Sequence, residues 1–507
     1  MARIVLTADF TLMTDYRNLP LATFFSCIPT DFWQSRFAFR VLAPNPPHRS
    51  GEARFAPYGL RKLEASLLRT FRRDEVVVAH PSHVNRFVGP ETEVVGIHTM
   101  DPLGLGPVSM SFTKGGVLTP YTKACFEDLC MDLPDGNRKF KVVVGGAGVW
   151  HFDYRPEEKE RLGIDHLVAG EVDHIAGEIF QDIIDGTAPE KIPEPLNPPL
   201  LEEIPPITAP SMHGMIEVMR GCGRGCQFCE VTLRRLRYFP PEFIQHEASI
   251  NTRAGLANAW LHSDDIFLYK VEDYKTMQPN SDAIKEIFQA AMNVKGIESG
   301  NPTHGTLASV CADPDLISDL TKILRGGPDK WIGIQSGLET GSVSLVEKIM
   351  PRKLLPFKPS EWPELVLDSI KILNEAYWFP ALTAIIGLPG ETSDDAYDTC
   401  VLLDQMEKIP NSHFIVAPLS FVPIGVLRGE EFYRVDEMID EARFNVAYRC
   451  WKHILKEIDY TLWRMSRLPL PLKSLINGIG MLGGRYILGV LERFGQRKGF
   501  KVWPPLA

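Results

Sequence analysis

Cys222, Cys226 and Cys229 lie in the run GCGRGCQFCE at 221–230, spaced C-x3-C-x2-C and interleaved with Gly221, Gly223 and Gly225. Three thiolates on one short loop can bind three irons of a cubane [4Fe–4S] cluster and leave the fourth iron open. The glycines let the loop wrap a cluster closely and turn amides toward its sulfurs. A closed ferredoxin cluster or a structural zinc needs four protein ligands. Here the next cysteine downstream is Cys311. An incomplete ligand set points to chemistry at the open iron. A zinc knuckle completed by a distant Cys or His is the bland alternative. The other six cysteines, Cys27, Cys125, Cys130, Cys311, Cys400 and Cys450, are scattered and read as small buried hydrophobes.

Elements must position this loop. Gly214–Arg220 (GMIEVMR) reads as a strand feeding straight into it. Further strands are predicted at Ile266–Lys270, Thr306–Val310, Trp331–Gln335, Leu382–Ile386 and His413–Ala417, with helical patterns between them such as Leu316, Ile317, Leu320, Ile323 and Leu324. Upstream, the β-branched runs Arg3–Thr7, Glu75–Ala79, Glu93–His98, Phe140–Gly145 and Ile164–Ala169 read as parallel strands buried on both faces. Tyr58–Phe71 and Asp173–Ile184 are long enough for crossover helices. Ligands of such a sheet bind beyond the carboxyl ends of its strands. Those ends carry TMDPLGLG at 99–106, GGAG at 145–148 and Gly170–Glu171. No G-x-G-x-x-G is present, which disfavours a dinucleotide.

The whole chain has 507 residues and a formal charge of −10, which argues against a general nucleic-acid binder. MARIVLTADF has no signal-peptide pattern. The most apolar stretch, Leu475–Val490, reads as too short and too broken by Arg485 to span a membrane. The cytoplasm is the default location. Eight prolines in 187–210 suggest a semi-rigid linker. Between Asn445 and Ala507, Lys and Arg outnumber Asp and Glu eleven to three, so this end is basic and the remainder acidic.

The cysteine loop with its glycines resembles the radical SAM superfamily. That resemblance implies a partial (β/α)6 barrel with S-adenosylmethionine (SAM) bound across the strand ends. VED at 271–273 resembles the family's contact to the SAM amino group, IGIQSGLETGS at 332–342 its fourth-strand segment, and AIIGLPGET at 384–392 its fifth. The SAM contacts so implied are Phe228, Glu272, Asp273, Gln335, Ser336, Ile385 and Gly387. Gln335 departs from the glutamate usual at its place. FKVVVGGAG to LVAGEVD at 140–173 is similar to cobalamin-binding domains fused to such barrels, implying cobalamin contacts at Thr7, Thr99, Met100, Asp101, Gly104, Gly145, Gly146, Gly170 and Glu171. The D-x-H-x-x-G of methionine-synthase-like domains is absent, and His98 and His174 are poorly placed to replace its histidine. The cofactor would therefore sit base-off, without an imidazole ligand.

The fold expected is α/β: a Rossmann-like cobalamin-binding domain at 1–186, a linker at 187–210, a radical SAM partial barrel at 211–429, and a small, mainly helical domain at 430–507. The resemblance implies a cobalamin-dependent radical SAM methyltransferase that uses a 5′-deoxyadenosyl radical and methylcobalamin on an unactivated sp3 carbon. The layout and the start MARIVLTADFTLMTDY resemble the branch that methylates a glutamine of methyl-coenzyme M reductase. The expected partners are a protein or peptide substrate and an electron donor such as ferredoxin or flavodoxin, with no nucleic acid and no membrane. No catalytic side chain is assigned. A cobalamin-dependent radical SAM cyclase or rearrangement enzyme is the second reading. An iron–sulfur electron-transfer protein is the reading of another class.

Overall fold

The computed structural model describes residues 2–134, 138–461, 463 and 468–506. The chain divides into two units, Met1–Ile216 with His246–Leu256, and Glu217–Gln245 with Ala257–Ala507.

The valine-rich runs of the first unit become a parallel sheet of six strands: β1 (Ile4–Ala8), β2 (Val76–Val78), β3 (Val94–His98), β4 (Lys141–Gly145), β5 (His166–Val168) and β6 (Lys191–Ile192). Their order is β2-β1-β3-β4-β5-β6, every pairing parallel. Every residue of β1 is buried, as a strand covered on both faces requires. Helices α1 (Tyr58–Leu67) and α3 (Ala176–Ile184) are crossovers near the places expected, with α2 (Tyr121–Met131) between them. The apolar stripe of α3 buries Ile179, Phe180 and Ile183 in the core shared with Ile4, Leu6 and Val94. Strand order reverses at β1 and β3, which puts the switch-point crevice beyond Ala8 and His98.

The linker expected at 187–210 is instead part of this unit. Lys191–Ile192 is the sixth strand, and Ile204 and Ile207 are buried. Proline lacks an N–H but keeps its carbonyl. The Pro205 carbonyl accepts from Lys62 and the Pro210 carbonyl from Arg61, both basic groups being buried. Glu247, in the returning segment 246–256, completes the arrangement. It accepts from Lys62 Nζ and Tyr58 Oη at 2.8 Å each, and from the Ile207 N–H at 3.0 Å.

The second unit holds two three-stranded sheets. One runs β9 (Ser299–Pro302), β8 (Asn258–His262), β7 (Met215–Glu217, whose last residue opens this unit), and the other β10 (Ile332–Glu339), β11 (Trp378–Ile386), β12 (Ile415–Ser420). The pairings β8–β9, β10–β11 and β11–β12 are parallel, and a parallel bridge from His304 to Gln335 ties the two sheets together. Helices α4 (Ser281–Met292), α5 (Pro314–Ile323), α6 (Trp362–Glu375) and α7 (Ser393–Glu407) alternate with these strands.

Two predicted strands are corrected. Ile266–Leu268 is a helical turn, and Leu307–Ala312 is a helix. Short apolar runs that are buried whole carry no period that separates strand from helix. The strands that fill those places are Asn258–His262 and Ser299–Pro302, the latter reading SGNP with no β-branched residue. Gly300 belongs there because a Cβ on it would stand 2.8 Å from Leu324 and 2.9 Å from the Met292 sulfur.

The C-terminal region is a helical layer of the second unit rather than a separate domain. Helix α8 (Glu441–Tyr460) packs on α7 and β12. Arg449 grips Asp404 at 3.0 Å, and His453 lies 2.9 Å from the Phe414 carbonyl. Leu475–Val490 lies inside a longer helix, α9 (Leu470–Lys498), which starts at Pro469 and ends on Gly499 in the left-handed region. It is the one helix among the described residues long and apolar enough to cross a membrane.

Candidate active site

The cysteine loop is fixed from four sides. Gly221, Gly223 and Gly225 have φ of +80°, +71° and +77°, where side chains are strained. A Cβ at Gly221 would also stand 2.7 Å from the Arg234 carbonyl oxygen and 2.9 Å from that of Arg235. The Gly221 N–H donates to Asp264 Oδ2 at 2.7 Å, and the Gly225 N–H to Thr232 Oγ1 at 2.7 Å. Arg224, wholly buried, pairs with Asp265 at 2.8 Å and donates to Ser309 Oγ and the Lys353 carbonyl. Gly425, after β12, lies under the loop: its Cβ would meet the Cys229 and Gln227 carbonyl oxygens at 2.8 Å.

Cys226 is buried, and Cys222 and Cys229 are half-buried. Burial pushes all three thiols up, Cys226 to about 11. Deprotonated ligands at such a place are stabilised by the charge of the metal they bind. Three cysteines spaced C-x3-C-x2-C on one glycine-shaped loop supply the donor types of a cubane cluster with one iron unliganded by protein, although among the described residues no three such side chains are already arranged to hold a metal ion.

Behind the loop lies a buried ion pair. Lys353 Nζ is 2.7 Å from Glu339 Oε1, each side chain 8% exposed, and Thr383 Oγ1 donates to the other carboxylate oxygen at 3.2 Å. Burial works against the lysine charge, but Glu339 and Cys226 beside it hold its pKa up. The same ammonium stands 5.8 Å from the Phe228 ring centre. Gly337 leaves room for the pair, since a Cβ on it would fall 1.7 Å from Glu339 Oε1.

The residues expected to hold SAM distribute unevenly. Along β10, Gln335, Gly337 and Glu339 share one face, with Gln335 exposed. Ser336 is on the opposite face, buried, and its hydroxyl has no partner among the described residues. On β11, Ile385 shares a face with Thr383, the residue that reaches Glu339. Gly387 follows at φ +84°. Its N–H donates to Glu391 at 2.8 Å, and a Cβ would strike the Tyr433 ring at 2.1 Å. Glu391 is held by Arg443, and Thr392 caps α7 in a capping box with Asp395. Glu272 and Asp273 sit on an exposed turn, bonded to Asn280 and to the Lys275 N–H. The acids that do follow the second strand are Asp264 and Asp265, which sequence reasoning missed because it placed that strand at 266–270.

In the first unit, Met100, Gly146 and Gly170 lie exposed at the carboxyl ends of β3, β4 and β5, and Gly145 and Glu171 are half-buried there. Thr7 is buried, with its hydroxyl on the Ala79 carbonyl. Thr99 is wholly buried and its hydroxyl has no partner among the described residues. Asp101 braces the 99–106 loop by accepting from the Gly106 N–H at 2.8 Å, Thr122 at 3.2 Å and Ser109. Burial raises Asp101 to about 6, and Asp9 beyond β1 likewise. Gly104, at φ +68°, lies against Pro120, and Gly170, at φ +77°, against Glu194. Gly146, at φ +109°, approaches protein: a Cβ would meet the Thr99 carbonyl at 2.5 Å and His98 Nδ1 at 2.8 Å. Burial holds the His98 imidazole neutral, its pKa near 4. An exposed backbone rim around an unpartnered buried hydroxyl, with one exposed methionine, fits a large planar ligand approached by main chain.

Residues 216–403 match the family model of the radical SAM superfamily. The tRNA-2-methylthio-N(6)-dimethylallyladenosine synthase of Leptothrix cholodnii is 24% identical over 245 residues, 46% of this chain and 47% of that one. The ribosomal protein uS12 methylthiotransferase RimO of Cytophaga hutchinsonii is 23% identical over 202 residues, 39% and 42% of the two chains. The chain spans about half the length of the curated relatives it matches. Among solved structures, the radical S-adenosylmethionine methyltransferase TsrM from Kitasatospora setae, with tryptophan and a SAM analogue bound, is alike in fold. Its TM-score is 0.52 at 13% identity, over 84% of this chain and 75% of that one. The matched segment contains all three loop cysteines, so residues 216–403 are a radical SAM domain, the class that works with a [4Fe–4S] cluster and S-adenosylmethionine.

Proposed function

We propose that this chain is a cobalamin-dependent radical SAM C-methyltransferase acting on an unactivated sp3 carbon. The observation that carries the reading is the pairing, in one chain, of a radical SAM domain with a parallel sheet whose glycine-rimmed crevice lies at the β1/β3 switch point. The TsrM likeness in fold runs across both units. When bound, cluster and SAM supply a 5′-deoxyadenosyl radical and cobalamin supplies the methyl group. The protein's own work is positional. Cys222, Cys226 and Cys229 hold the cluster, and Arg224–Asp265 and Gly221–Asp264 fix their loop. Gln335, Ile385 and the Lys353–Glu339 pair line up as SAM-side groups. Thr99, Met100, Gly145, Gly146 and Gly170 form the rim for the corrin, with His98 neutral and committed to packing. A polar nucleophile is methylated by SAM alone, so radical control implies a C–H substrate.

The substrate favoured is a protein side chain, the glutamine of methyl-coenzyme M reductase being the member of that class suggested by sequence. Such a reaction is a post-translational modification, in the cytoplasm, with ferredoxin or flavodoxin as reductant. The anaerobically reconstituted protein should bind cobalamin stoichiometrically and, with substrate, release S-adenosylhomocysteine and 5′-deoxyadenosine in equal amounts. Comparing the host proteome with and without the gene identifies the methylated residue. Replacement of the three cysteines by Ala should abolish cluster absorbance and 5′-deoxyadenosine together. Unchanged SAM cleavage in that variant overturns the reading.

Methylthio transfer is the second reading, favoured by the names of the curated relatives. It requires a product heavier by a sulfur atom, which the same mass spectra distinguish. A product without a SAM-derived methyl would favour the cyclase.

A further inference from the structure

Helix α9 is out of keeping with the rest of the molecule. It is 29 residues long, and of its most apolar 18-residue window only 6% is buried. At 1.5 Å per residue it extends for about 43 Å. Among the described residues, its close protein neighbours lie along one face. A Cβ at Gly480 would stand 3.1 Å from Ile458, at Gly484 1.8 Å from Leu455, and at Gly495 2.6 Å from the Phe444 ring. Those glycines share a face at helical spacing, and they let α9 lie close along α8. The opposite face carries Leu475, Leu482 and Tyr486, which are 44%, 70% and 52% exposed, with Ile479 between them. Further along the same face stand Arg493 and Arg497, with Lys498 beside them. The helix has one acid, Glu492, which accepts from Tyr448.

We propose that α9 docks this protein on the surface of an anionic lipid bilayer. A helix that is apolar nearly all round but unburied is what a hydrocarbon environment selects. The seam with α8 keeps lipid from surrounding α9, so the helix lies in the interface and does not span. Its cations then sit at headgroup level, where they are attracted to anionic lipid. An acidic protein would be complementary to the arginines but would leave the stripe from Leu475 to Tyr486 in water. A bilayer covers both. The inference does not depend on the reaction catalysed and departs from the sequence expectation of no membrane.

The full-length protein is sedimented with vesicles of phosphatidylcholine alone and of phosphatidylcholine with phosphatidylglycerol. Binding to the anionic vesicles, weakened by salt, is expected. Leu475→Glu with Leu482→Glu should lower it by more than about tenfold, and Arg493→Gln with Arg497→Gln should remove most of its salt dependence. Both pairs are at exposed positions, so the variants should keep the wild-type melting temperature. Failure of the wild type to pellet with anionic vesicles overturns the proposal, as does pelleting indifferent to the glutamate pair. A wild-type dimer in light scattering that the glutamate pair converts to monomer would assign the face to a second copy and overturn it equally.

Discussion

Asp101 and Lys353 are both buried charges, yet they respond oppositely to their surroundings. Asp101 accepts from neutral donors, among them Gly106, Ser109 and Thr122, so burial dominates and raises it from 3.8 to about 6. A carboxyl whose folded pKa is raised binds its proton more tightly folded than unfolded, so stability falls as pH rises from about 4 to about 6. Asp101→Asn removes this titration. Relative to wild type, the variant should gain on the order of 3 kcal/mol between pH 4 and pH 7, with no further change above. Denaturant melts of both proteins across that range measure it. Lys353 instead has Glu339. Removing one member of a buried pair leaves an uncompensated charge. Lys353→Met should therefore cost about 3 kcal/mol, and adding Glu339→Gln should restore part of it. Additive losses in the double-mutant cycle would show that the pair does not act as a unit.

At the scale of elements, the cysteine loop was legible because its information is local: three cysteines, three glycines and their spacing. Its supports were not. Asp264 and Asp265 escaped notice because Ile266–Tyr269, wholly buried, imitates a strand better than the alternating NAWLH at 258–262 does. Ser299–Pro302 was invisible, its place set by its neighbours and by Gly300 rather than by propensity. The Rossmann-like strands were readable because strands buried on both faces are β-branched throughout. Gly221 offers a direct test of the loop. Gly221→Ala places a methyl against two backbone carbonyls at a positive φ, so neither neighbour can yield cheaply. Cluster content after reconstitution should fall well below wild type, while the thermal transition of the first unit stays unchanged. Full cluster loading in that variant would mean that the loop relaxes.

At the scale of the whole molecule, composition misled where covalent order and folded order differ. Proline density at 187–210 announced a boundary, but Ile192, Ile204 and Ile207 are core residues and the carbonyls of Pro205 and Pro210 are used. The boundary lies after Ile216, and the chain crosses it again at residues 246–256. A fragment of residues 1–186 lacks β6, the proline strap and Glu247, leaving Lys62 without its carboxylate. It should show no cooperative unfolding transition in circular dichroism. A sharp melt from that fragment would show that the excursion is dispensable.

Because Glu247 and Asn251 belong to the first unit, that unit cannot be finished on the ribosome until residue 256 has emerged. By then Cys222, Cys226 and Cys229 have already been synthesised and lie in a loop of chain tethered at both ends by the closing of an earlier fold. The segment that carries them is thus closed into a loop before β10 to β12 of the second unit have been made.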